Sequence, residues 1–118
     1  MEKDINKDAI KEAYESGVIE VNGREYEFDS MNFRDRRKVF AYFTSVGSKV
    51  ENGDLSFIDS SSFDDIEKVI RRYSLFDGHL LSKLGDKHFE DYPEDYLEFT
   101  ITAMGVISYP FMSGNTSD

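Results

Sequence analysis

Apolar residues recur along this chain with two different spacings, and each spacing predicts a different kind of element. In residues 5–16 they recur every three to four positions, which is typical of a short amphipathic helix or of an arm that becomes helical on contact. In residues 18–28 they alternate with polar residues, as in strands with one buried face. Asn22-Gly23 lies within this run and favours the positive φ angles of a tight hairpin turn. The beginning of the chain therefore predicts a helix followed by a β-hairpin.

Two helices are predicted in the middle of the chain. Asn32 is suited to cap a helix over residues 33–46, which carries an aromatic stripe and is ended by Gly47. A second helix over residues 63–73 follows Ser62, which resembles the first residue of a capping box. The positions of this second helix that are predicted to be buried are Phe63, Ile66, Val69, Ile70 and Tyr73.

A last helix is predicted after a turn and a loop. Two apolar runs flank Asp77-Gly78 and indicate a small hairpin or irregular turn over residues 75–81. Residues 83–92 are predicted as a loop or a single helical turn. Pro93 suits the first turn of the helix that follows, and Pro110 is predicted to end it. This helix is apolar on most sides, so it is either the centre of the core or keeps one face for a partner.

These elements predict an α+β fold, a small and mainly helical domain of three to four helices with one or two short β-hairpins. The length of 118 residues suits a single hydrophobic core. Residues 1–17 are interpreted as an N-terminal helix or arm, residues 18–111 as one globular domain, and residues 112–118 as a flexible tail.

The net charge of the chain indicates which classes of molecule it can bind. Fourteen Lys and Arg against 24 Asp and Glu give a formal net charge of −10. Such a surface repels the phosphates of nucleic acids and of anionic membranes, so neither is predicted as a partner. It favours solubility and attraction to a basic partner. The one basic cluster, in residues 34–38, is too short to reverse this balance.

Three features of the sequence are those of a cytoplasmic protein. The chain has no cysteine, which suits a reducing cytosol. Its N-terminus lacks the apolar segment of a signal peptide. No apolar run approaches the ~20 residues that cross a bilayer.

The sequence contains no arrangement typical of an active site, and neither an enzymatic activity nor a cofactor is predicted. His79 and His88 have no partner at metal-ligand spacing and are interpreted as turn or surface histidines. No Gly-x-Ser-x-Gly turn or glycine-rich phosphate loop is present. Residues 54–65 have the length of a calcium-binding loop, but Asp59 occupies the position that requires glycine. Residues 90–95 are interpreted as the solvated start of a helix, so no metal site is predicted.

The aromatic content of this short chain is high, with ten Phe and seven Tyr. The tyrosines that cannot all be core residues are Tyr14, Tyr42, Tyr92, Tyr96 and Tyr109. A tyrosine ring is apolar while its hydroxyl stays hydrated, which favours tyrosine at protein interfaces. These residues either cover the edge of the core or form a binding surface, and the sequence leaves both interpretations open.

The order of aromatic elements resembles that of a known family. Its parts are the strand Tyr26-x-Phe28, the helical segment from Phe33 to Phe40, the turn over residues 76–81, the pair His88-Phe89, the residues Tyr96, Phe99 and Met104 of the last helix, and the closing Tyr109-Pro110-Phe111. Over residues 18–111 this pattern is similar to the tail assembly chaperones of long-tailed bacteriophages. The resemblance implies a non-enzymatic protein of the host cytoplasm that holds the tape-measure protein soluble and recruits tail-tube subunits. It also implies absence from the finished particle, and the family often includes a longer frameshifted product.

A chaperone of this kind has to cover apolar helical segments reversibly, which an aromatic groove within a charged shell can do. The groove is predicted on the helices over residues 33–46 and 96–107. The candidate partner-binding residues are Phe40, Tyr42, Phe43, Tyr96, Phe99, Met104, Tyr109 and Phe111.

Two other functions stay open at this point. An acidic nucleic-acid mimic would inhibit a DNA-binding protein by presenting carboxylates in place of phosphates. The charge of −10 favours a mimic, and the mixing of acids with 14 basic residues disfavours it. A small enzyme without a recognisable motif is the least favoured of the three possible functions. Self-association of the domain is compatible with its apolar last helix and its many tyrosines.

Overall fold

One antiparallel sheet and a set of helices make up the fold of residues 7–113, the part of the chain that the computed structural model describes. The elements in chain order are α1 (Lys7–Ser16), β1 (Val18–Val21), β2 (Arg24–Phe28), α2 (Phe33–Glu51), a 3₁₀ turn (Ser56–Ile58), α3 (Ser61–Arg72), β3 (Ser74–Phe76), β4 (His79–Leu80), α4 (Leu81–Leu84), α5 (Asp86–Asp91), a second 3₁₀ turn (Pro93–Asp95) and α6 (Tyr96–Ser113). The predicted α+β class is confirmed, with four longer helices and two hairpins in these residues. Residues 5 and 6 of the predicted first helix and residues 114–118 of the predicted tail lie outside the described residues.

Both predicted hairpins are present, and both use the same kind of turn. Asn22 and Gly23 have φ angles of 53° and 82°, and Asp77 and Gly78 have φ angles of 53° and 80°. Two successive positive φ angles give a turn whose twist matches that of the flanking strands. The turn residues therefore set the register of β1 on β2 and of β3 on β4.

The two hairpins are joined into one sheet by a pairing that the sequence did not predict. β2 and β3 run antiparallel, with Tyr26 opposite Phe76, and the strand order is β1-β2-β3-β4. Since α2 and α3 lie between β2 and β3 in the chain, this pairing brings the two ends of a long helical segment together.

The helix α2 is longer than predicted. Asn32 caps its beginning as expected, because its side-chain oxygen accepts a hydrogen bond from the backbone N–H of Asp35 at 2.8 Å. The prediction that Gly47 ends the helix is wrong, and α2 continues for another turn. Val50 packs against the core in that turn, and Gly53, with a φ angle of 77°, takes the left-handed conformation after the helix.

The helix α3 begins two residues earlier than predicted. The hydroxyl of Ser60 accepts a hydrogen bond from the backbone N–H of Phe63 at 3.1 Å, so Ser60 caps the helix and the prediction of Ser62 is wrong. Tyr73 is half-buried and follows the end of the helix. The other predicted core positions of this helix are buried, namely Phe63, Ile66, Val69 and Ile70.

The segment that leads into α6, and the end of α6, differ from the prediction. Two short helices, α4 and α5, occupy most of the predicted loop, and Pro93–Asp95 forms a 3₁₀ turn before α6. The prediction that Pro110 ends α6 is wrong, because the helix continues to Ser113 and includes the first two residues of the predicted tail. Pro110 removes only one N–H from the ladder. The guanidinium of Arg36 donates to the carbonyl oxygen of Ile107 at 2.8 Å in the same turn.

The helix α6 is the centre of the core, which was one of the two expected alternatives. It contacts α1, α2, α3 and β1. The helix α1 approaches it closely at Gly105, where a Cβ atom would lie 2.7 Å from Cδ1 of Ile10. Although α6 is strongly apolar, neither it nor another helix within residues 7–113 has both the length and the apolarity that crossing a membrane requires.

Candidate protein-binding surface

Three of the candidate partner-binding residues lie in the core. Phe43, Phe99 and Met104 are only 8%, 1% and 0% exposed. The ring of Phe99 packs against that of Tyr26 with centroids 4.6 Å apart. The helices α2 and α6 pack directly against each other, so the groove predicted on them is filled by the domain's own side chains. These three residues hold the domain together and offer no surface to a partner in this conformation.

Tyr42 and Tyr96 are half-buried at two different edges of the core. Tyr42 meets Phe57 edge-on, with ring centroids 6.5 Å apart. Tyr96 meets Phe89 edge-on at 5.3 Å. Partial burial raises the pKa of the Tyr96 hydroxyl, and the carboxylate of Glu67 raises it further. Both rings therefore pack as residues that cover the edge of the core.

Three aromatic rings form a surface cluster where α2 begins and α6 ends. The rings of Phe40 and Phe111 stack with centroids 4.8 Å apart and an interplanar angle of 28°. Phe33, which was not among the candidates, lies 5.8 Å from Phe111 and is 66% exposed. We call Phe33, Phe40 and Phe111 the aromatic patch.

The beginning of α2 is fixed by the segment that follows α3. The hydroxyl of Tyr73 donates to Oδ2 of Asp35 at 2.7 Å and accepts from Nδ2 of Asn32 at 3.0 Å. Nη2 of Arg72 lies 3.6 Å from the same carboxylate oxygen. The hydrogen bond from Tyr73, with the charge of Arg72, holds the pKa of Asp35 below its usual value. Phe33 lies between Asn32 and Asp35, so its backbone is anchored while its ring stays in solvent.

Cations border the aromatic patch. Arg34, Arg37 and Lys38 are exposed on α2, and within residues 7–113 none of them forms an ion pair. We call these three residues the basic rim. Arg37 follows Phe33 by four positions and precedes Phe40 by three, so it lies on the same face of the helix as both rings. This spacing is the sequence signal that could have identified Phe33 and Arg37 as surface partners of Phe40.

Tyr109 pairs with α1 and makes no ring contact with the aromatic patch. Its ring lies against that of Tyr14, with centroids 5.1 Å apart, and Tyr14 is 40% exposed. A groove of about 190 Å³ opens beside this pair, with Phe28, Met31 and Arg36 among its lining residues. The C-terminal half of α6 therefore contributes two aromatic side chains, Tyr109 and Phe111, to the surface.

A buried polar network lies inside the domain, and the sequence did not predict it. The hydroxyl of Tyr26 donates to Oδ2 of Asp95 at 2.6 Å and lies 2.8 Å from Nε2 of His88. Asn22 donates to Oδ1 of Asp95 at 2.8 Å, and Nε of Arg24 lies 3.4 Å from Oδ2. Tyr26, His88 and Asp95 are 0%, 6% and 0% exposed. The interpretations of His88 as a turn or surface histidine and of Asp95 as part of a solvated segment are therefore wrong.

The network connects secondary-structure elements, and its three central residues are buried away from solvent. Burial raises the pKa of the Tyr26 hydroxyl, as does its hydrogen bond to Asp95, and burial lowers the pKa of His88. Because the Tyr26 O–H is used toward Asp95, the Nε2–H of a neutral His88 donates to the Tyr26 oxygen. These three residues line neither the groove of about 190 Å³ beside Tyr14 nor the cleft of about 540 Å³ on the wall of which Arg71 lies. The network therefore joins β2 to α5 and to the turn before α6.

A wider cleft of about 540 Å³ lies between α3, α5 and the start of α6. On its wall, Arg71 donates to Glu67 at 2.6 Å and to Asp86 at 2.9 Å. The guanidinium carbon of Arg71 lies 5.2 Å from the ring centroid of Phe89. Within residues 7–113 no group of histidine and carboxylate side chains is arranged to hold a metal ion. The guanidinium of Arg71 is therefore already paired with two carboxylates on this wall.

Comparison with known proteins assigns neither a family nor a function to this chain. No known protein family matches the chain, and no curated protein or solved structure shows significant similarity to it.

Proposed function

We propose that this protein is a non-enzymatic tail assembly chaperone of a long-tailed bacteriophage, which binds the tape-measure and/or tail-tube proteins in the host cytoplasm during tail morphogenesis. The proposed family rests on the resemblance in the order of aromatic elements over residues 18–111. The binding surface is the aromatic patch. The proposed role requires no cofactor, no metal and no nucleic acid.

The exposure of the aromatic patch is the observation that carries the proposal. Phe33 is 66% exposed and contacts Phe111, which in turn stacks on Phe40. Burying a phenylalanine side chain is worth roughly 1.5–3 kcal/mol. A domain that keeps neighbouring rings partly in water therefore gains free energy when an apolar partner covers them. Clustered apolar surface of this kind is typical of protein-binding sites.

A helix with an apolar face is the partner that suits this surface. Phenylalanine rings provide contact area without requiring hydrogen bonds, and they accept the apolar anchors that a helix presents one turn apart. The family resemblance likewise implies a long helical client. The net charge of −10 keeps the domain, and a client bound to it, away from self-aggregation.

The test is co-expression of the full chain with the tape-measure protein encoded nearest to it and, in a separate experiment, with the tail-tube protein. The soluble fraction of the client and its retention on the tagged chain are measured. We expect wild type to retain the client and Phe33→Ser to retain less. Because Phe33 is exposed, this change should leave the fold intact. Leu55→Ser is the matched control, since Leu55 is 39% exposed and follows the other end of α2, which lies roughly 27 Å from Phe33 along the helix axis.

Two results would contradict the proposal. Equal retention by wild type and Phe33→Ser would remove the aromatic patch from the binding surface. Failure of the wild-type chain to retain either the tape-measure or the tail-tube protein would overturn the chaperone role. Binding to a DNA-binding protein that is lost between low and moderate salt would favour the nucleic-acid mimic in its place.

A further inference from the structure

We infer that the segment recognised at the aromatic patch is an acidic amphipathic helix, whose apolar face covers the three rings while its carboxylates pair with Arg34 and Arg37 of the basic rim. This inference rests on the proposed function, and it specifies the chemistry of the client that the patch selects.

The geometry of α2 places guanidinium groups beside the aromatic patch. Phe33, Arg37 and Phe40 follow each other at helical spacing on one face, and Phe111 lies against both rings. Arg34 is exposed in the same turn as Phe33. A helix laid over the rings therefore passes within reach of two guanidinium groups. Guanidinium groups bind carboxylates through two parallel hydrogen bonds, which gives such a contact directional preference.

These two guanidinium groups have no ion-pair partner among the described residues. The chain has six arginines. Arg24, Arg71 and Arg72 pair with carboxylates, and Arg36 donates to the carbonyl oxygen of Ile107. Within residues 7–113, Arg34 and Arg37 form no ion pair, although carboxylates outnumber cations in the chain.

The charge around the aromatic patch is positive, unlike that of the whole chain. Four cations and one carboxylate give residues 33–40 a net charge of +3, which leaves −13 on the rest of a chain whose total is −10. Charges farther apart than the Debye length, about 8 Å at physiological salt, are largely screened. A carboxylate docked at the patch therefore interacts mainly with the basic rim.

The same charge distribution favours a protein segment over a nucleic acid. Phosphate polymers need an extended track of cations, whereas the basic rim lies within the first two turns of α2. Outside residues 33–40 the chain carries a net charge of −13, which disfavours binding of a longer phosphate strand. A single amphipathic helix matches the limited size of the positive area.

Two synthetic probes test the inference. Both are amphipathic helices of about 18 residues, long enough to cross the patch, with the same leucine face and with either Glu or Lys at the flanking positions. Binding to the full chain is measured by fluorescence anisotropy at about 0.15 M salt, where exposed charges retain a short-range effect. We expect the Glu probe to bind about 3- to 10-fold more tightly, as two exposed ion pairs predict.

Charge reversal supplies the matched variants. The double variant Arg34→Glu, Arg37→Glu should reverse the preference between the two probes. The control Lys49→Glu, Lys83→Glu makes the same change in net charge at exposed lysines away from the patch and should leave the preference unchanged. Circular dichroism of both variants verifies that the fold is kept.

The results distinguish failure of the acidic preference from failure of the proposed chaperone role. If the chain retains the tape-measure protein but binds both probes equally, the acidic preference is wrong and the chaperone role stands. If it retains no tail protein and binds neither probe, both fail. Tighter binding of single-stranded DNA than of the Glu probe would overturn the choice of a protein partner. Dimerisation that Arg34→Glu, Arg37→Glu abolishes would assign the patch to a second copy and overturn the inference as well.

Discussion

The hydroxyl of Tyr26 donates a hydrogen bond of 2.6 Å to the carboxylate of Asp95, and both residues are fully buried. The bond connects an inner strand of the sheet to the turn that starts α6. A buried carboxylate is costly unless hydrogen-bond donors surround it. Asp95 has donors in Tyr26 and Asn22, with Arg24 nearby. The position of α6 relative to the sheet therefore depends on these polar contacts as well as on packing.

Tyr26→Phe is expected to destabilise the domain. The change keeps the ring but removes the hydroxyl, so Asp95 loses a donor and His88 loses its partner at 2.8 Å. Leaving a buried polar group unsatisfied costs about 1–3 kcal/mol of unfolding free energy. Urea unfolding followed by circular dichroism measures this cost. Tyr14→Phe is the control, because Tyr14 is 40% exposed and should change stability by less than about 0.5 kcal/mol. Equal stability of both variants would contradict the role of the network.

The domain is expected to lose stability as the pH falls below the ordinary histidine value. Burial lowers the pKa of His88, and the charge of Asp95 opposes this shift only in part. The unfolded chain therefore takes up a proton near pH 6.5, while the folded domain takes it up only at lower pH. The stability that neutral His88 provides is complete above about pH 6.5 and is lost as the pH falls from there through the lowered folded pKa.

Urea midpoints at about pH 7.5 and about pH 5.5 lie on either side of the ordinary histidine pKa. Wild type should show a lower midpoint at the acidic pH. His88→Gln should show a smaller difference, because the titrating group is gone. His79→Gln is the control, since His79 is exposed, and it should behave like wild type. A His88→Gln variant with the full wild-type difference would assign the pH dependence to other groups.

Replacement of serines before α3 tests which residue caps this helix. Ser60→Ala removes the acceptor of the Phe63 N–H and should cost about 1 kcal/mol of unfolding free energy. Ser62→Ala removes an exposed hydroxyl and should change stability by less than about 0.5 kcal/mol. Thermal unfolding of the two variants measures the difference. The opposite order would restore Ser62 as the cap.

Gly105→Val is expected to disturb the packing of α1 on α6. A Cβ atom at this position would lie 2.7 Å from Cδ1 of Ile10, so a valine displaces the end of the Ile10 side chain and overpacks the contact between the two helices at a cost of about 1–3 kcal/mol. Ile10→Ala makes room for it. The double variant should therefore be less destabilised than the sum of the single variants, with a coupling of about 0.5–3 kcal/mol. Additive effects in urea unfolding would mean that the two side chains do not meet.

Local signals in the sequence were sufficient for the hairpins and for most helix positions. Asn22-Gly23 and Asp77-Gly78 each determine a turn through their own backbone preferences, so no distant residue is needed. The pairing of β2 with β3 has no such signal, because its partners are separated by two helices. Gly47 misled the prediction of α2 because a glycine can stay helical where packing continues beyond it.

The aromatic patch was predicted only in part, for a related reason. Phe40 and Phe111 were candidates because of the aromatic content, but content does not distinguish a ring in the core from a ring at its border. Phe43 lies on the buried stripe of α2 and Phe33 just beyond it, and only the packing of α6 fixes where that stripe ends. The basic rim was discounted because its charge is small against the total, whereas recognition depends on charge within a few ångströms.

The central position of α6 has a consequence for how the domain forms during translation. A chain leaves the ribosome from its N-terminus, and α6 is the last of the described elements to emerge. Until then the inward faces of α1, α2 and α3 have no common partner to pack on, since each of them contacts α6. The nascent domain therefore keeps its apolar faces in water through most of its synthesis, and the emergence of α6 is the event that closes the core.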